Sequence, residues 1–212
     1  MVNAKTLLRD VFGFKKFRPG QLEIIDAVAC GENVLAIMPT GGGKSLCFQL
    51  PALLNDGLTV VISPLIALMR DQVRGLKAAG VIAGAITSAN TQEEVDQVFS
   101  QIISGDLKLL YLAPERLVSR KIQNVLSNAN VTSIAVDEAH CVSQWGHDFR
   151  PDYLGIGELR RKLCVPLSAF TATADKETQQ EIMERLFEGA APKVFLRGFD
   201  RPNIYLSFMP KD

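Results

Sequence analysis

The sequence predicts an α/β fold, with a mostly parallel central sheet and helices on both faces. Short apolar stretches alternate along the chain with longer stretches of helical period, the pattern of parallel strands joined by crossover helices. The run 34–38 has no polar face at all, as expected of a strand buried on both sides. Polar and glycine-rich residues also recur where the strand-like stretches end: the glycine triplet 41–43, Ser63, Ala113, Asp137 and Thr171. In parallel sheets ligands lie beyond the carboxyl ends of the strands.

In chain order, residues 4–11 and 20–30 read as helices bracketing the stretch 12–21, whose last two residues open the second helix. Pro19 is placed in a first helical turn, where proline is tolerated, and the second helix is expected to bury Leu22, Ile25 and Val28. A strand at 34–38 leads through the glycines into a helix over 44–50. Then come a strand at 58–62, a helix at 65–79 stopped by Gly80 and a strand at 83–86. The Thr91-Gln92-Glu93-Glu94 capping box opens a helix to residue 103, followed by a strand at 108–112 and a broken helix at 114–126. A strand at 131–136 delivers Asp137-Glu138-Ala139-His140, and a loop covers 141–153. Last come a helix at 154–163, a strand at 166–170, a helix at 175–187 capped by Asp175, and a strand at 193–196.

With 212 residues and 47% hydrophobic content, the chain can build one sizeable core rather than two small ones. The 23 Lys and Arg balance the 23 Asp and Glu, so any polyanion contact must come from a local patch. Lys15-Lys16-Arg18, Arg116-Arg120-Lys121 and Arg160-Arg161-Lys162 are candidates, though each alone reads as a solvated face. Cys30, Cys47, Cys141 and Cys164 have no Cys-x-x-Cys spacing; reduced, buried thiols of a cytosolic protein are expected, and no zinc site. Lys5, Arg9 and Asp10 come too early for a signal peptide. The longest apolar run, 58–69, contains Ser63 and Pro64 and falls short of the ~20 residues of a membrane helix. A soluble, cytoplasmic protein without a membrane partner is therefore expected.

Thr40-Gly41-Gly42-Gly43-Lys44-Ser45 carries the clearest chemistry. The glycines let the backbone turn sharply and aim several N–H groups at one point, which the following helix N-terminus also faces. A phosphate chain suits such a place, with Lys44 reaching the terminal phosphates and the Ser45 hydroxyl holding Mg²⁺. Met38 stands where the usual phosphate-loop pattern has its first glycine. The competing reading, a glycine-rich turn before an ordinary helix, is disfavoured because strand, glycines, Lys-Ser and helix arrive in order. Asp137 at a strand end is placed to hold Mg²⁺, and Glu138 to polarise an attacking water. Without the glycine loop, an Asp-Glu turn after a strand would account for the pair equally well. Gln21 offers an amide able to bond both N6 and N7 of an adenine, and Phe14 a ring to stack on it. A surface amide and a core phenylalanine account for those two residues equally well.

Taken together, the glycine loop and Asp137-Glu138-Ala139-His140 resemble the superfamily 2 helicases. Three further segments resemble the RecQ branch of DNA helicases: 17–21, the run Cys141-Val142-Ser143-Gln144-Trp145-Gly146-His147-Asp148-Phe149-Arg150-Pro151, and Phe199-Asp200-Arg201-Pro202-Asn203. The resemblance covers roughly residues 8–203 and implies a RecA-like P-loop fold, an ATPase using ATP and Mg²⁺, and 3′-to-5′ movement on DNA. It implies that Phe14, Arg18 and Gln21 recognise adenine. Thr40 to Ser45 then bind phosphates, with Lys44, Asp137 and Glu138 catalytic and Ser45 and Asp137 on the metal. Ser63-Pro64-Leu65 and Ala113-Pro114-Glu115-Arg116 would hold the phosphates of a single strand. The loop with Trp145, His147, Phe149 and Arg150 would sense DNA, each aromatic stacking on a base for ~1–3 kcal/mol. Thr171 and Thr173 would link hydrolysis to movement. The implied partners are single-stranded DNA and duplex junctions, in DNA repair and recombination.

The implied organisation is an N-terminal helical segment with the adenine motif at 1–30, a first RecA-like lobe at 31–197, and the start of an inter-lobe connection at 198–212. A second RecA-like lobe, supplying arginines across the cleft, is not within these residues. The chain alone is then expected to bind ATP weakly, hydrolyse it barely and not unwind DNA. Alternatives are an RNA helicase lobe of the DEAH or DEAD type, a nucleotide-gated binding module that never hydrolyses, and a small-molecule kinase.

Overall fold

The computed structural model describes residues 3–144 and 148–196. Its strands are β1 (Val34–Ile37), β2 (Leu58–Ile62), β3 (Ala83–Ile86), β4 (Leu109–Leu112), β5 (Val131–Val136), β6 (Leu167–Thr171) and β7 (Lys193–Leu196). They form one sheet in the order β3-β4-β2-β5-β6-β1-β7, with every neighbouring pair parallel. The helices are α1 (Ala4–Asp10), α2 (Gln21–Ala29), α3 (Lys44–Leu54), α4 (Ile66–Ala78), α5 (Gln92–Ile103), α6 (Arg120–Asn128), α7 (Gly155–Leu163) and α8 (Lys176–Phe187).

Side chains alternate across each strand, so the sheet separates two cores. Val34 and Ala36 face a core with Leu8, Ile24, Phe48 and Met69, built from α1 to α4. Leu35 and Ile37 face the other, with Phe99, Ile122, Ile156 and Leu186, built from α5 to α8. Burial on both faces locks the register, because a one-residue slip would exchange the two sets. Phe48 on α3 packs against Phe170 on β6 with ring centroids 5.4 Å apart. That contact seats the helix behind the glycine loop; replacing such a buried ring by alanine costs ~3–5 kcal/mol.

Connections set the position of a crevice on the carboxyl rim of the sheet. The chain leaves β1 towards α3 on one face and leaves its neighbour β6 towards α8 on the other. Diverging connections between adjacent parallel strands open a cleft at their carboxyl ends. Ser63, Ala113 and Asp137 each follow directly on a strand, and Thr171 ends β6.

Local signals act as the residue types require. Thr91 caps α5 by accepting from Glu94 N at 3.2 Å while Glu94 Oε2 accepts from Thr91 N at 2.8 Å. Gly80, two residues beyond α4, has φ +81°. Several expectations are corrected. Pro19 lies outside α2, whose N-cap is Gly20 in the left-handed region. Because α2 starts at Gln21, its inner face is Gln21, Ile24, Ile25 and Val28, and Leu22 is rotated to a half-buried position. The helix after the glycine loop runs on past residue 50 to Leu54. Within 139–154 the chain forms 3₁₀ turns, Ala139–Val142 and Pro151–Leu154, so α7 starts at Gly155. Cys47 and Cys141 are buried, but Cys30 and Cys164 are exposed, because they cap the ends of α2 and α7 beyond the buried stripe. Among the described residues no helix is long and apolar enough to cross a membrane.

Candidate nucleotide site

The glycine loop grows out of the sheet. Met38 N donates to Thr171 O at 2.9 Å, pinning the end of β1 to the end of β6. The chain then turns back, Gly42 N donating to Pro39 O at 2.9 Å. The three glycines meet three separate demands. Gly41 and Gly43 have φ of +78° and +81°, where a side chain is strained. A Cβ at Gly42 would stand 2.8 Å from Pro39 O, and one at Gly43 would run into the Gln21 amide. Gly43 is the N-cap of α3 and makes no side-chain cap bond. The first-turn N–H groups of an eleven-residue helix therefore face the loop without a side-chain acceptor, which suits an anion. Lys44 Nζ lies 3.5 Å from Met38 O, and Ser45 Oγ accepts from Gln72 Nε2 at 3.0 Å.

The acidic pair stands on the same rim. Asp137 N donates to Ile62 O at 2.8 Å, and Tyr153 OH donates to Asp137 O at 3.0 Å, which fixes the backbone. Asp137 is 4% exposed, and its carboxylate accepts from Glu138 N at 3.0 Å and Ser63 Oγ at 3.5 Å. Burial first, and the neighbouring Glu138 charge second, push its carboxyl up to about 6, while the Glu138 N–H, Lys44 and Ser63 pull the other way. Ser45 and Asp137 offer the hard oxygen donors that Mg²⁺ prefers. A divalent cation would also relieve the crowded, buried charge of Asp137, so these residues fit the metal.

Glu138 itself is left-handed, φ 48° and ψ 48°, a conformation few non-glycine residues adopt. With the backbone turned this way, Glu138 Oε2 lies 3.4 Å from His140 Nδ1. The same nitrogen is 2.9 Å from Thr171 Oγ1, whose hydrogen goes to Thr173 O at 2.9 Å. With that hydrogen committed, Nδ1 is the donor towards Thr171. His140 Nε2 is 3.6 Å from Asp148 Oδ2. His140 thus touches Glu138, the turn after β6 and Asp148.

The expected adenine segment meets the phosphate loop directly. Gln21 Oε1 accepts from Arg18 N at 2.8 Å, and Nε2 lies 3.4 and 3.2 Å from the carbonyls of Gly42 and Gly43. The Arg18 guanidinium donates to Gly41 O. Gln21 is 2% exposed and Phe14 is 54% exposed, so neither a surface amide nor a core phenylalanine describes them. Gln21 is a latch on the loop, and an adenine at its amide would have to share it with loop carbonyls.

Other expected residues are spread along the rim. Ser63 is buried, and Arg116 Nη2 donates inward to Thr87 O at 2.7 Å. Thr171 is buried and Thr173 exposed. Phe149 is half-buried and Arg150 exposed, with Arg150 N donating to Cys141 O at 2.9 Å. Trp145 and His147, and the segment 198–212, lie outside the described residues. The sequence alone gives no role to His140, Tyr153, Gln72 or Glu181. Glu181 on α8 accepts from Gln144 N at 2.9 Å and from Ser143 Oγ, and pairs with Arg185 at 2.9 Å. Only His140 carried a sequence signal, its place directly after the acidic pair.

Residues 18–182 match the DEAD/DEAH box helicase family. The ATP-dependent DNA helicase RecQ of Haemophilus influenzae is 50% identical over 202 residues, covering 95% of this chain and 32% of that protein. The enzyme of the same name from Pasteurella multocida is 48% identical over 211 residues, covering 98% and 33%. Among solved structures, the Pyrococcus furiosus Hef helicase domain superposes with a TM-score of 0.68 at 21% identity, over 92% of this chain and 40% of that one, a likeness of fold. The chain spans about a third of the length of the curated relatives it matches.

Proposed function

Because the chain belongs to the DEAD/DEAH box helicase family, we propose that it is the first motor lobe of a RecQ-type, ATP-dependent DNA helicase. The carrying observation is the convergence of phosphate loop, acidic pair and β6 turn on one crevice. Similarity to proteins named RecQ along nearly the whole chain supports the finer assignment.

ATP is the substrate. The N–H groups of Gly43 to Ser45 and the Lys44 ammonium hold its terminal phosphates, while Phe14, Arg18, Gln21 and Thr40 receive the adenine end and loop edge. Ser45 and Asp137 would hold Mg²⁺, which when bound neutralises charge on the phosphate oxygens. Glu138, beside His140, accepts the proton of a water attacking the γ-phosphorus as the bond to the bridging oxygen breaks. His140 also carries the state of this base to Thr171 and Thr173 and to the segment holding Asp148. A single strand would run along Ser63-Pro64-Leu65 and Ala113 to Arg116, with Trp145, His147, Phe149 and Arg150 sensing its bases.

A second RecA-like lobe completes the engine in a longer protein and moves it 3′ to 5′. Loss of an arginine finger costs ~10³–10⁵ in phosphoryl-transfer rate, so the 212 residues alone bind ATP weakly, hydrolyse it barely and do not unwind. The test is ATPase stimulation of the two-lobed protein by single-stranded DNA and by RNA. Stimulation by DNA is expected, and preference for RNA would replace this reading by an RNA helicase. Robust DNA-stimulated hydrolysis by the 212 residues would refute the account of the isolated lobe.

A further inference from the structure

Behind the phosphate loop lies a run of amides that none of these steps uses. Gln72, on α4, donates from Nε2 to Ser45 Oγ at 3.0 Å. Its Oε1 accepts from Gln49 Nε2 at 3.3 Å, and the same Gln49 nitrogen donates to Tyr111 OH at 2.8 Å. Gln49 and Tyr111 are 8% and 1% exposed, so the far end of this run is anchored in the core. In this arrangement Oε1 of Gln72 is taken by Gln49, and the amide presents its N–H to Ser45.

We infer that Gln72 is a positioning residue for Ser45, donating to one lone pair of Oγ so that the other lone pair and the hydroxyl hydrogen face the phosphate loop. This rests on the nucleotide and magnesium reading above. An unrestrained serine samples three χ1 wells, only some of which aim Oγ at a metal beside Asp137. Partners that orient a metal ligand are typically worth ~10–100-fold in metal affinity. Water moderates the effect here. A cleft of about 280 Å³, walled by Val11, Phe12 and Leu76, reaches Ser45, Gln49 and Gln72, and water entering it partly replaces a lost amide. The low end of the range, about tenfold, is therefore expected. Because Gln72 is only half-buried, its loss leaves the fold intact.

The test compares the affinity of the 212-residue chain for a fluorescent, non-hydrolysable ATP analogue in Mg²⁺ and in EDTA. Gln72→Met, which keeps the length but cannot donate, should bind about tenfold more weakly in Mg²⁺ and unchanged in EDTA. Gln72→Ala should behave likewise, and adding Gln72→Met to Ser45→Ala should cost nothing further. An unchanged or tighter affinity of Gln72→Met in Mg²⁺, a loss that persists in EDTA, or a loss that persists without the Ser45 hydroxyl would overturn the assignment. If the unaltered chain gains no affinity from Mg²⁺, the metal reading of the site falls and the role of Gln72 with it.

Discussion

Gly43→Ala separates two consequences of one backbone position. A residue other than glycine held in the left-handed region costs ~1–3 kcal/mol, and Gly41→Ala, with nothing within 4 Å of its added Cβ, should show that strain alone. At Gly43 the Cβ also strikes the Gln21 amide, which must leave the carbonyls of Gly42 and Gly43 and its bond from Arg18 N. A buried amide stripped of partners costs a further ~1–3 kcal/mol. For a domain of this size each kcal/mol moves the melting temperature by ~2–4 °C, so Gly43→Ala should melt several degrees below Gly41→Ala. Thermal melting by circular dichroism reads the difference, and the cycle is closed with Gln21→Ala. In that background the two alanine variants should melt alike. Equal melting in both backgrounds would mean that Gln21 does not latch the loop and that the third glycine answers only to strain.

Other outcomes follow from the same geometry. In the two-lobed protein, Glu138→Gln should retain ATP binding and lose turnover, and unchanged turnover would remove Glu138 as the base. Asp137 titrates upward from 3.8 to about 6, so in the metal-free chain its contribution is fully present below about 4 and is lost as pH rises through about 6. Asp137→Asn should therefore stabilise the metal-free chain at pH ~7.5, by roughly 2–3 kcal/mol, and lose that advantage near pH ~4; melting curves at the two pH values check it. With a thiol reagent on the native chain, Cys30 and Cys164 should react quickly. Cys47 and Cys141, buried and with thiols pushed up to about 12 and about 11, should react only on unfolding.

Much of this fold is legible in the sequence because its parallel strands are buried on both faces. A run such as 34–37 then has no polar alternative to being a strand. The glycine triplet and Asp137-Glu138 are legible for a related reason, since backbone N–H groups and strand-end carboxylates act through local geometry. What escapes is contact across the chain. Gln21 meets Gly43 across 22 positions, and Gln72 meets Ser45 across 27. Neither amide carries a periodic or compositional mark. The 3₁₀ turns around Cys141 and Tyr153 are too short to show a period, and the left-handed Glu138 is held by its surroundings against its own preference. Leu22 misleads because it is apolar and near the right spacing, while Gln21, one residue earlier, occupies the inner face.

In the proposed complex a triphosphate seats in the glycine loop with the acidic pair across from it. A crystal structure of the chain with a non-hydrolysable ATP analogue and Mg²⁺ tests it most directly. Lys44 Nζ should have left Met38 O, 3.5 Å away in the present structure, for the terminal phosphates, with Ser45 and Asp137 flanking the metal. An analogue bound elsewhere, or seated with its γ-phosphate turned away from Asp137 and Glu138, would contradict the account.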